Sequence, residues 1–76
     1  MRELVSILVR GIVRDPARVR VHERAVRGRV VIELTVDLDD RGRVIGREGR
    51  TAKALRTVLG AVALRRGQSC QLEIVD

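Results

Sequence analysis

Apolar residues near the start of the chain recur at intervals of three and four, the spacing of one helix face. The positions that carry this pattern are Leu4, Val5, Leu8, Val9, Ile12 and Val13. Asp15 precedes Pro16, and a residue before proline is disfavoured in helical geometry. The pattern therefore predicts an amphipathic helix over residues 2–14 that stops at Asp15-Pro16.

The apolar pattern then changes to strict alternation, which is typical of strands. Val19 and Val21 alternate with basic side chains and predict a half-buried strand with a basic outer face. The segment 27–29, Arg-Gly-Arg, is typical of a hairpin connection. A longer apolar run follows, and it predicts the central strand of a sheet. In this run Val30, Ile32, Leu34 and Val36 alternate with Val31, Glu33, Thr35 and Asp37.

Two helical patterns separated by a pair of glycines come next. Asp37 and Asp40 have the spacing of a helix N-cap and an acid in the first turn, which predicts a short helix over about 38–45. Gly46 and Gly49 interrupt it. A second helix then carries an apolar face made of Ala52, Leu55, Leu59, Val62 and Ala63.

The second helix is expected to end at Arg65-Arg66-Gly67, because basic residues favour the last turn and glycine favours the C-cap. Cys70, Leu72 and Ile74 then alternate with polar positions and predict a final strand. A helical crossover joins the second and third strands, so they should run parallel, whereas the first two form an antiparallel hairpin.

The order α-β-β-α-α-β predicts an α+β fold with a three-stranded mixed sheet and three helices on one face. A chain of 76 residues is long enough for one small core and no second one. We therefore expect a single domain over residues 1–76.

Composition removes several classes of function. The chain contains no Phe, Tyr or Trp, which excludes nucleic-acid surfaces that stack bases on aromatic side chains. Its single cysteine, Cys70, cannot form an internal disulfide and favours a reducing compartment. No apolar run reaches the roughly 20 residues of a membrane span. We expect a cytoplasmic protein with no membrane association and no cofactor.

The net charge of +6 comes mainly from two segments. Residues 41–56 contain six basic residues and one acid, and residues 17–29 contain five basic residues and one acid. The rest of the chain is net acidic. A small domain with concentrated basic charge is expected to bind a polyanion.

The sequence Gly46-Arg47-Glu48-Gly49 joins the two predicted helices inside the more basic segment. Glycines permit a tight turn and close approach of another backbone. The N–H groups that begin the following helix lie at the positive end of its dipole and bind anions. Arg43, Arg50 and Lys53 flank the loop, and the last two share a helix face. The pattern indicates an anion site.

The longer run Asp-x-Gly-Arg-Val-Ile-Gly-x-x-Gly-Arg, at residues 40–50, resembles the KH domain, where Val-Ile-Gly-x-x-Gly marks the nucleic-acid-binding loop. The predicted element order is similar to the type II, bacterial KH arrangement. The resemblance covers essentially the whole chain. The length and the early Leu-Val helix are similar to the small bacterial single-KH RNA-binding proteins of the KhpA (YlqC) family.

This resemblance implies that Gly46, Arg47, Glu48 and Gly49 clamp the backbone of about four unpaired nucleotides. It also implies that Val44 and Ile45 border an apolar groove for the bases and that Arg43, Arg50 and Lys53 contact phosphates. Val31 and Thr35 are expected on the far wall of the groove. Glu48 places an acid in the clamp, which predicts weak, sequence-tolerant binding.

The function implied is that of a non-catalytic, single-stranded RNA-binding protein acting as an RNA chaperone or post-transcriptional regulator. It would work as a homodimer or with a second KH-containing protein. Single-stranded DNA stays open as a ligand, because no residue is seen to read a 2′-hydroxyl. The alternative is a KH-shaped adaptor that binds protein in a ribosome-associated or cell-envelope assembly. The charge around the glycine loop favours RNA.

Three other features have simpler structural explanations. Asp37, Asp39 and Asp40 are expected to cap a helix rather than to bind a metal. His22, the only histidine, is expected to lie solvated on a basic strand face. Gly60 interrupts a helix and suggests close packing of another helix or chain, since glycine there costs about 1 kcal/mol relative to alanine.

Overall fold

The structure is a computed structural model that describes residues 1–75. Short 3-10 turns at Pro16–Arg18, Leu38–Asp40 and Arg47–Gly49 connect the main elements. The predicted α+β class and the element order are confirmed. The main elements are α1 (Arg2–Arg10), β1 (Arg20–Val26), β2 (Arg29–Thr35), α2 (Arg41–Ile45), α3 (Arg50–Arg65) and β3 (Ser69–Ile74).

The sheet has the strand order β1-β2-β3, with β2 in the centre. β1 and β2 are antiparallel, with Val26 opposite Arg29 next to the turn. Arg27 and Gly28 both have positive φ, 50° and 78°, the geometry that favours tight two-residue hairpins. β2 and β3 are parallel, and their register begins with Arg29 opposite Ser69. The mixed sheet predicted from the connections is therefore confirmed.

The core lies between one face of the sheet and the helices. It is built from aliphatic side chains, as a chain without aromatic residues requires. Its buried members come from all three helices, from β2 and β3 and from the loops, while Val21 of β1 packs against them partly buried; they are Val5, Val9, Val19, Val30, Ile32, Leu34, Val36, Val44, Leu55, Leu59 and Leu72. Each helix thus contributes to a single core on one side of the sheet.

The first helix is shorter than the predicted 2–14 and ends at Arg10. Gly11 follows, and the N–H groups of Ile12 and Val13 both donate to the carbonyl of Val9, at 2.9 and 3.1 Å. Ile12 and Val13 still pack against the core from this turn. The apolar stripe is therefore real, although the helix that was inferred from it stops about one turn earlier.

The predicted end of α3 is confirmed in detail. Gly67 has a φ of 69°, and its N–H donates to the carbonyl of Leu64 at 3.0 Å. The N–H of Gln68 donates to the carbonyl of Ala63 at 2.9 Å, which completes a Schellman cap. No helix within residues 1–75 is long and apolar enough to span a membrane.

Candidate nucleic-acid interface

A buried carboxylate fixes the start of α2, the short helix that leads into the glycine loop. Asp40 is only 2% exposed, and it accepts the backbone N–H groups of Arg14 and Asp15, both at 3.0 Å. Nε of Arg43 lies 3.5 Å from the same carboxylate. The pKa of Asp40 is lowered, first by the hydrogen bond from Arg14 and against the opposing effect of burial. Asp40 thereby joins the segment after α1 to the base of α2.

The capping role predicted for the acidic residues is only partly correct. The carboxylate of Asp37 does accept the N–H of Asp39, at 3.4 Å, and caps the 3-10 turn. Asp40, however, makes no side-chain cap to α2, because its oxygens are taken by the backbone of residues 14–15. Among residues 1–75 no group of three or more His, Cys, Asp or Glu side chains is placed to hold a metal.

Val44 and Ile45 point in different directions from the end of α2. Val44 is fully buried and belongs to the core, whereas Ile45 is 37% exposed next to the loop. Of the two residues expected to border a groove, only Ile45 presents side-chain surface to a ligand. Val44 instead anchors α2 and thus the position of the loop.

The loop itself has a conformation that requires glycine at residue 46. Gly46 has φ 79° and ψ 170°, a region that side chains almost never adopt. A Cβ there would lie 2.7 Å from both the Cβ and the backbone nitrogen of Thr51. Gly49 is left-handed, with φ 75° and ψ 13°, but a Cβ at this position has open space around it. Both glycines therefore shape the turn, for different reasons.

The acid inside the loop faces solvent and pairs with a neighbouring arginine. Glu48 has a positive φ of 57°, and its Oε2 lies 3.3 Å from Nη2 of Arg50. Both side chains are more than two-thirds exposed, at 71% and 77%. Exposed ion pairs contribute at most about 1 kcal/mol. A phosphate group can therefore replace Glu48 as the partner of Arg50 at little cost.

Four basic side chains surround the loop and the first turns of α3. Arg47 and Lys53 are exposed, and no carboxylate of residues 1–75 forms an ion pair with either. Arg43 keeps 45% of its side chain exposed while it contacts Asp40. The N–H of Arg50 donates to the carbonyl of Arg47, and the N–H groups that follow it in the first turn lie at the positive end of α3. The arrangement suits a chain of phosphates.

The central strand does not line this site. Val31 and Thr35 lie on the sheet face opposite the core, since Val30, Ile32 and Leu34 alternate with them and are buried against the helices. Val31 is nevertheless only 5% exposed. On this same face, an ion pair of 3.4 Å joins Arg24 and Glu33. The expectation that Val31 and Thr35 form the far wall of the groove is wrong, because their side chains point away from α2 and α3.

A cleft that sequence reasoning missed lies along the free edge of β3. Nη2 of Arg56 donates to the carbonyl of Leu72 at 3.4 Å and so crosses from α3 to that edge. The cleft measures about 350 Å³ and is lined by Arg29, Arg56, Ser69, Cys70, Gln71 and Leu72. The sequence placed Arg56 in the basic segment. It did not show that the carbonyl of Leu72 points towards Arg56, because that direction depends on how β3 pairs with β2.

Cys70 lies half-buried in this cleft. Burial raises the pKa of the Cys70 thiol, and the charge of Glu23 adds to the effect. The thiol is therefore protonated and neutral near pH 7. This agrees with the interpretation of Cys70 as a small packing residue rather than a reactive one.

The sequence matches known proteins along its whole length. The family model described as KhpA/KhpB, KH domain, matches residues 2–74. The chain is 46% identical to RNA-binding protein KhpA of Streptomyces coelicolor over 76 residues, which cover 100% of this chain and 92% of that protein.

Two further relatives carry the same name. The Halalkalibacterium halodurans protein is 43% identical over 76 residues, with complete coverage of both chains. The Clostridium perfringens protein is 40% identical over 75 residues, which cover 99% of this chain and 100% of that one. No solved structure gives a significant match. The match of the family model and the full-length identities agree with the fold and the glycine loop, and the chain belongs to the KhpA/KhpB family of KH domains.

Proposed function

We propose that the protein is a non-catalytic, single-stranded RNA-binding protein in which residues 46–49 clamp the phosphate backbone. The observation that carries this proposal is the loop geometry, with Gly46 and Gly49 at positive φ directly before α3 and exposed cations on either side. The KhpA relatives are named RNA-binding proteins, which supports RNA as the polyanion. The family itself is non-enzymatic.

Each site residue has a role that follows from its position. The backbone of Gly46 and Gly49 lets the phosphates approach the N-terminus of α3, and Arg47 and Lys53 supply charge from both sides. Arg50 exchanges Glu48 for a phosphate. Arg43, oriented by Asp40, adds a further contact, and Ile45 forms the apolar border on which a base rests.

The recognition that this site permits is tolerant of base sequence. With no aromatic residue in the chain, bases are not stacked on side chains, and the contacts assigned above go mainly to phosphates. We propose that such binding serves an RNA chaperone or post-transcriptional regulator in the cytoplasm. Single-stranded DNA is expected to compete, because none of the assigned contacts involves a 2′-hydroxyl.

We also propose that the protein self-associates, with a second KH-containing protein as the alternative partner. The support is the outward face of α3, where Val58 and Leu64 are 45% and 76% exposed. Gly60, two residues after Val58, faces a different side of α3, and a Cβ there meets no atom within 4 Å. The close packing expected at Gly60 is thus not made within residues 1–75. Sedimentation of Val58→Glu against the parent protein tests this.

The test of the clamp uses a pair of variants at Gly49 that differ only in charge. Asparagine tolerates a left-handed conformation, so Gly49→Asn keeps the turn, while Gly49→Asp adds a negative charge of the same shape. We expect Gly49→Asp to bind a short single-stranded RNA at least about tenfold more weakly than Gly49→Asn, because charge-assisted contacts are replaced by repulsion. Thermal unfolding of both variants controls for stability.

Equal RNA affinity in the two Gly49 variants would contradict the clamp. If the parent protein binds a protein partner but no RNA, the adaptor function is favoured instead.

A further inference from the structure

The sheet has a free edge at β1, on the side away from α3. β2 lies in the centre, so β1 has a strand partner on one side only. Within residues 1–75 the backbone of residues 20–26 makes no hydrogen bond outside the sheet. β1 therefore presents unpaired backbone groups along its length, which is the feature that lets a sheet accept another strand.

The pairing with β2 decides which backbone groups are unpaired. Val26 and Arg29 flank the two-residue turn and lie opposite each other, so they form the hydrogen-bonded pair that closes the hairpin. Hydrogen-bonded and non-hydrogen-bonded pairs alternate along antiparallel strands. The N–H and C=O groups of Val21, Glu23 and Ala25 therefore point away from β2, and they offer an added strand donors and acceptors in regular order.

A trough runs beside this edge, between β1 and α1. Glu3 and Arg10 of α1 line a hollow of about 300 Å³ together with residues 19–21 of the strand side. A second hollow of about 350 Å³ shares Arg2 and Glu3 with the first and continues to Glu23. The trough has room for the side chains that an added strand would direct towards α1.

Positive charge dominates the rim of the trough. Arg2, Arg10 and Arg20 are exposed, and no carboxylate of residues 1–75 forms an ion pair with any of them. Of the two acids in the trough, Glu23 already accepts the backbone N–H of Arg2 at 2.9 Å. The trough therefore suits a partner that carries carboxylates.

Other occupants fit this edge less well. A symmetric antiparallel pairing of two copies centred on His22 places Arg20 opposite Arg24, and pairings centred on Glu23 or Arg24 place that residue opposite itself. Like charges directly opposite each other destabilise a strand pair. RNA phosphates accept hydrogen bonds but donate none, so they make no use of the outward carbonyls. An acidic peptide strand matches both the charges and the backbone groups.

We propose that β1 is a docking edge for an acidic, extended segment of another protein, which adds to the sheet as a fourth strand. Hydrogen bonds to Val21, Glu23 and Ala25 set its register, and its carboxylates face the arginines of the trough. This surface goes beyond the proposed function, because β1 and β3 are opposite edges of the sheet and α3 packs on β3. One chain can therefore hold RNA and the peptide at the same time.

The test uses a synthetic peptide of about ten residues with blocked ends, in which glutamate alternates with valine or threonine. Calorimetry measures its affinity, and NMR follows amide hydrogen exchange. At saturation we expect the amides of Val21, Glu23 and Ala25 to exchange at least about tenfold more slowly, because they become hydrogen-bonded. A peptide with lysine in place of glutamate should not bind. Binding that leaves these three amides unprotected would overturn the proposal.

A pair of variants at Ala25 tests the backbone contact. Ala25→Pro removes one outward N–H and is expected to fold, since proline is tolerated on edge strands where the N–H faces solvent. Ala25→Val keeps the N–H. The proline variant should bind the acidic peptide about fivefold more weakly than the valine variant, with thermal unfolding as the control for stability. Equal peptide affinities in two folded variants would contradict strand addition.

A charge pair tests the trough without touching the sheet. Arg2→Gln with Arg10→Gln removes two charges from α1, and Arg65→Gln with Arg66→Gln removes two exposed charges from the end of α3. The first variant should bind the acidic peptide about tenfold more weakly than the parent, and the second should change by less than about twofold. Equal losses would indicate diffuse attraction and overturn the proposal. A loss of RNA affinity in the α1 variant with unchanged peptide affinity would also overturn it, because the edge would then belong to the RNA surface.

Discussion

Gly46 is the residue on which the geometry of the loop depends most strictly. Its backbone conformation excludes side chains, and Thr51 occupies the space that a Cβ would take. Gly49 is left-handed, a conformation that asparagine tolerates, and a Cβ there has open space around it. A substitution at Gly46 therefore disturbs the loop whatever its charge, which is why the charge test above is placed at Gly49.

Replacing Gly46 with alanine should destabilise the protein by about 1–3 kcal/mol, the usual cost of a strained backbone conformation. Gly42→Ala is the matched control, because Gly42 lies in α2 with open space around it and an ordinary helical backbone. The control should be neutral or stabilising by up to about 1 kcal/mol. Urea unfolding measures both, and equal stabilities would contradict the assigned clash with Thr51.

Asp40 makes stability depend on pH in a definite direction. Its pKa in the folded protein lies below the ordinary value of 3.8, so its contribution is fully present above that value and is lost as the pH falls through the lowered pKa. The free energy of unfolding should therefore fall between about pH 5 and pH 2. Asp40→Asn should be less stable at neutral pH and should lack this component. A parallel pH dependence in parent and variant would show that other carboxylates cause it.

The positions of several of these residues were predictable from the sequence, and those of others were not. The glycine spacing and the adjacent basic residues were sufficient to predict the loop and its cations. The bonds of Asp40 reach 25 and 26 positions back along the chain, so its spacing to Asp37 was misleading. Likewise, which of Val44 and Ile45 faces the core depends on how α2 docks rather than on its five residues.

At the scale of elements, local signals predicted the ends of α3 better than those of α1. Gly67 and the preceding arginines are a complete stop signal, and the observed Schellman cap follows from them. The stripe of α1 continues past Arg10, but tertiary bonds from residues 14–15 to Asp40 draw the chain out of the helix. Alternation predicted which face of β2 packs against the core. It did not predict that Val31, on the opposite face, is buried as well.

Gly60 inside α3 and Gly67 just after it should have opposite effects on stability when each is replaced by alanine. Gly67→Ala should destabilise the protein by about 1–2 kcal/mol, because an L residue is forced into the left-handed region at a φ of 69°. Gly60→Ala should stabilise it by up to about 1 kcal/mol, since Gly60 lies inside α3 with room for a methyl group. Thermal or urea unfolding measures both, and the same sign for both would contradict the described end of α3.

At the scale of the whole molecule, positive charge is concentrated at both ends of α3, around the glycine loop at its start and at the exposed Arg65 and Arg66 at its end. The sequence showed residues 41–56 and residues 17–29 as two basic segments. It did not show that the segment after α3 meets the hairpin, because the hydrogen bond from the N–H of Ser69 to the carbonyl of Gly28 depends on the parallel pairing of β2 and β3. The net charge was therefore predictable, and its arrangement around the fold was not.

This arrangement predicts how salt affects binding. With Arg43, Arg47, Arg50 and Lys53 engaged, the slope of log affinity against log salt concentration for a short RNA should be about −2 to −3, at about −0.7 per phosphate contact. Titrations between low and moderate salt measure the slope. An affinity that does not change with salt would favour the adaptor function over phosphate binding.

The most direct measurement of the central claim is the position of the bound strand. Backbone amide signals of the protein can be followed by NMR while a four-nucleotide RNA is added. The account predicts that the largest shifts fall on residues 45–53, which hold the glycine loop and the start of α3. Shifts concentrated on the outward face of α3 around Val58 and Leu64, or spread evenly over all basic surfaces, would contradict it.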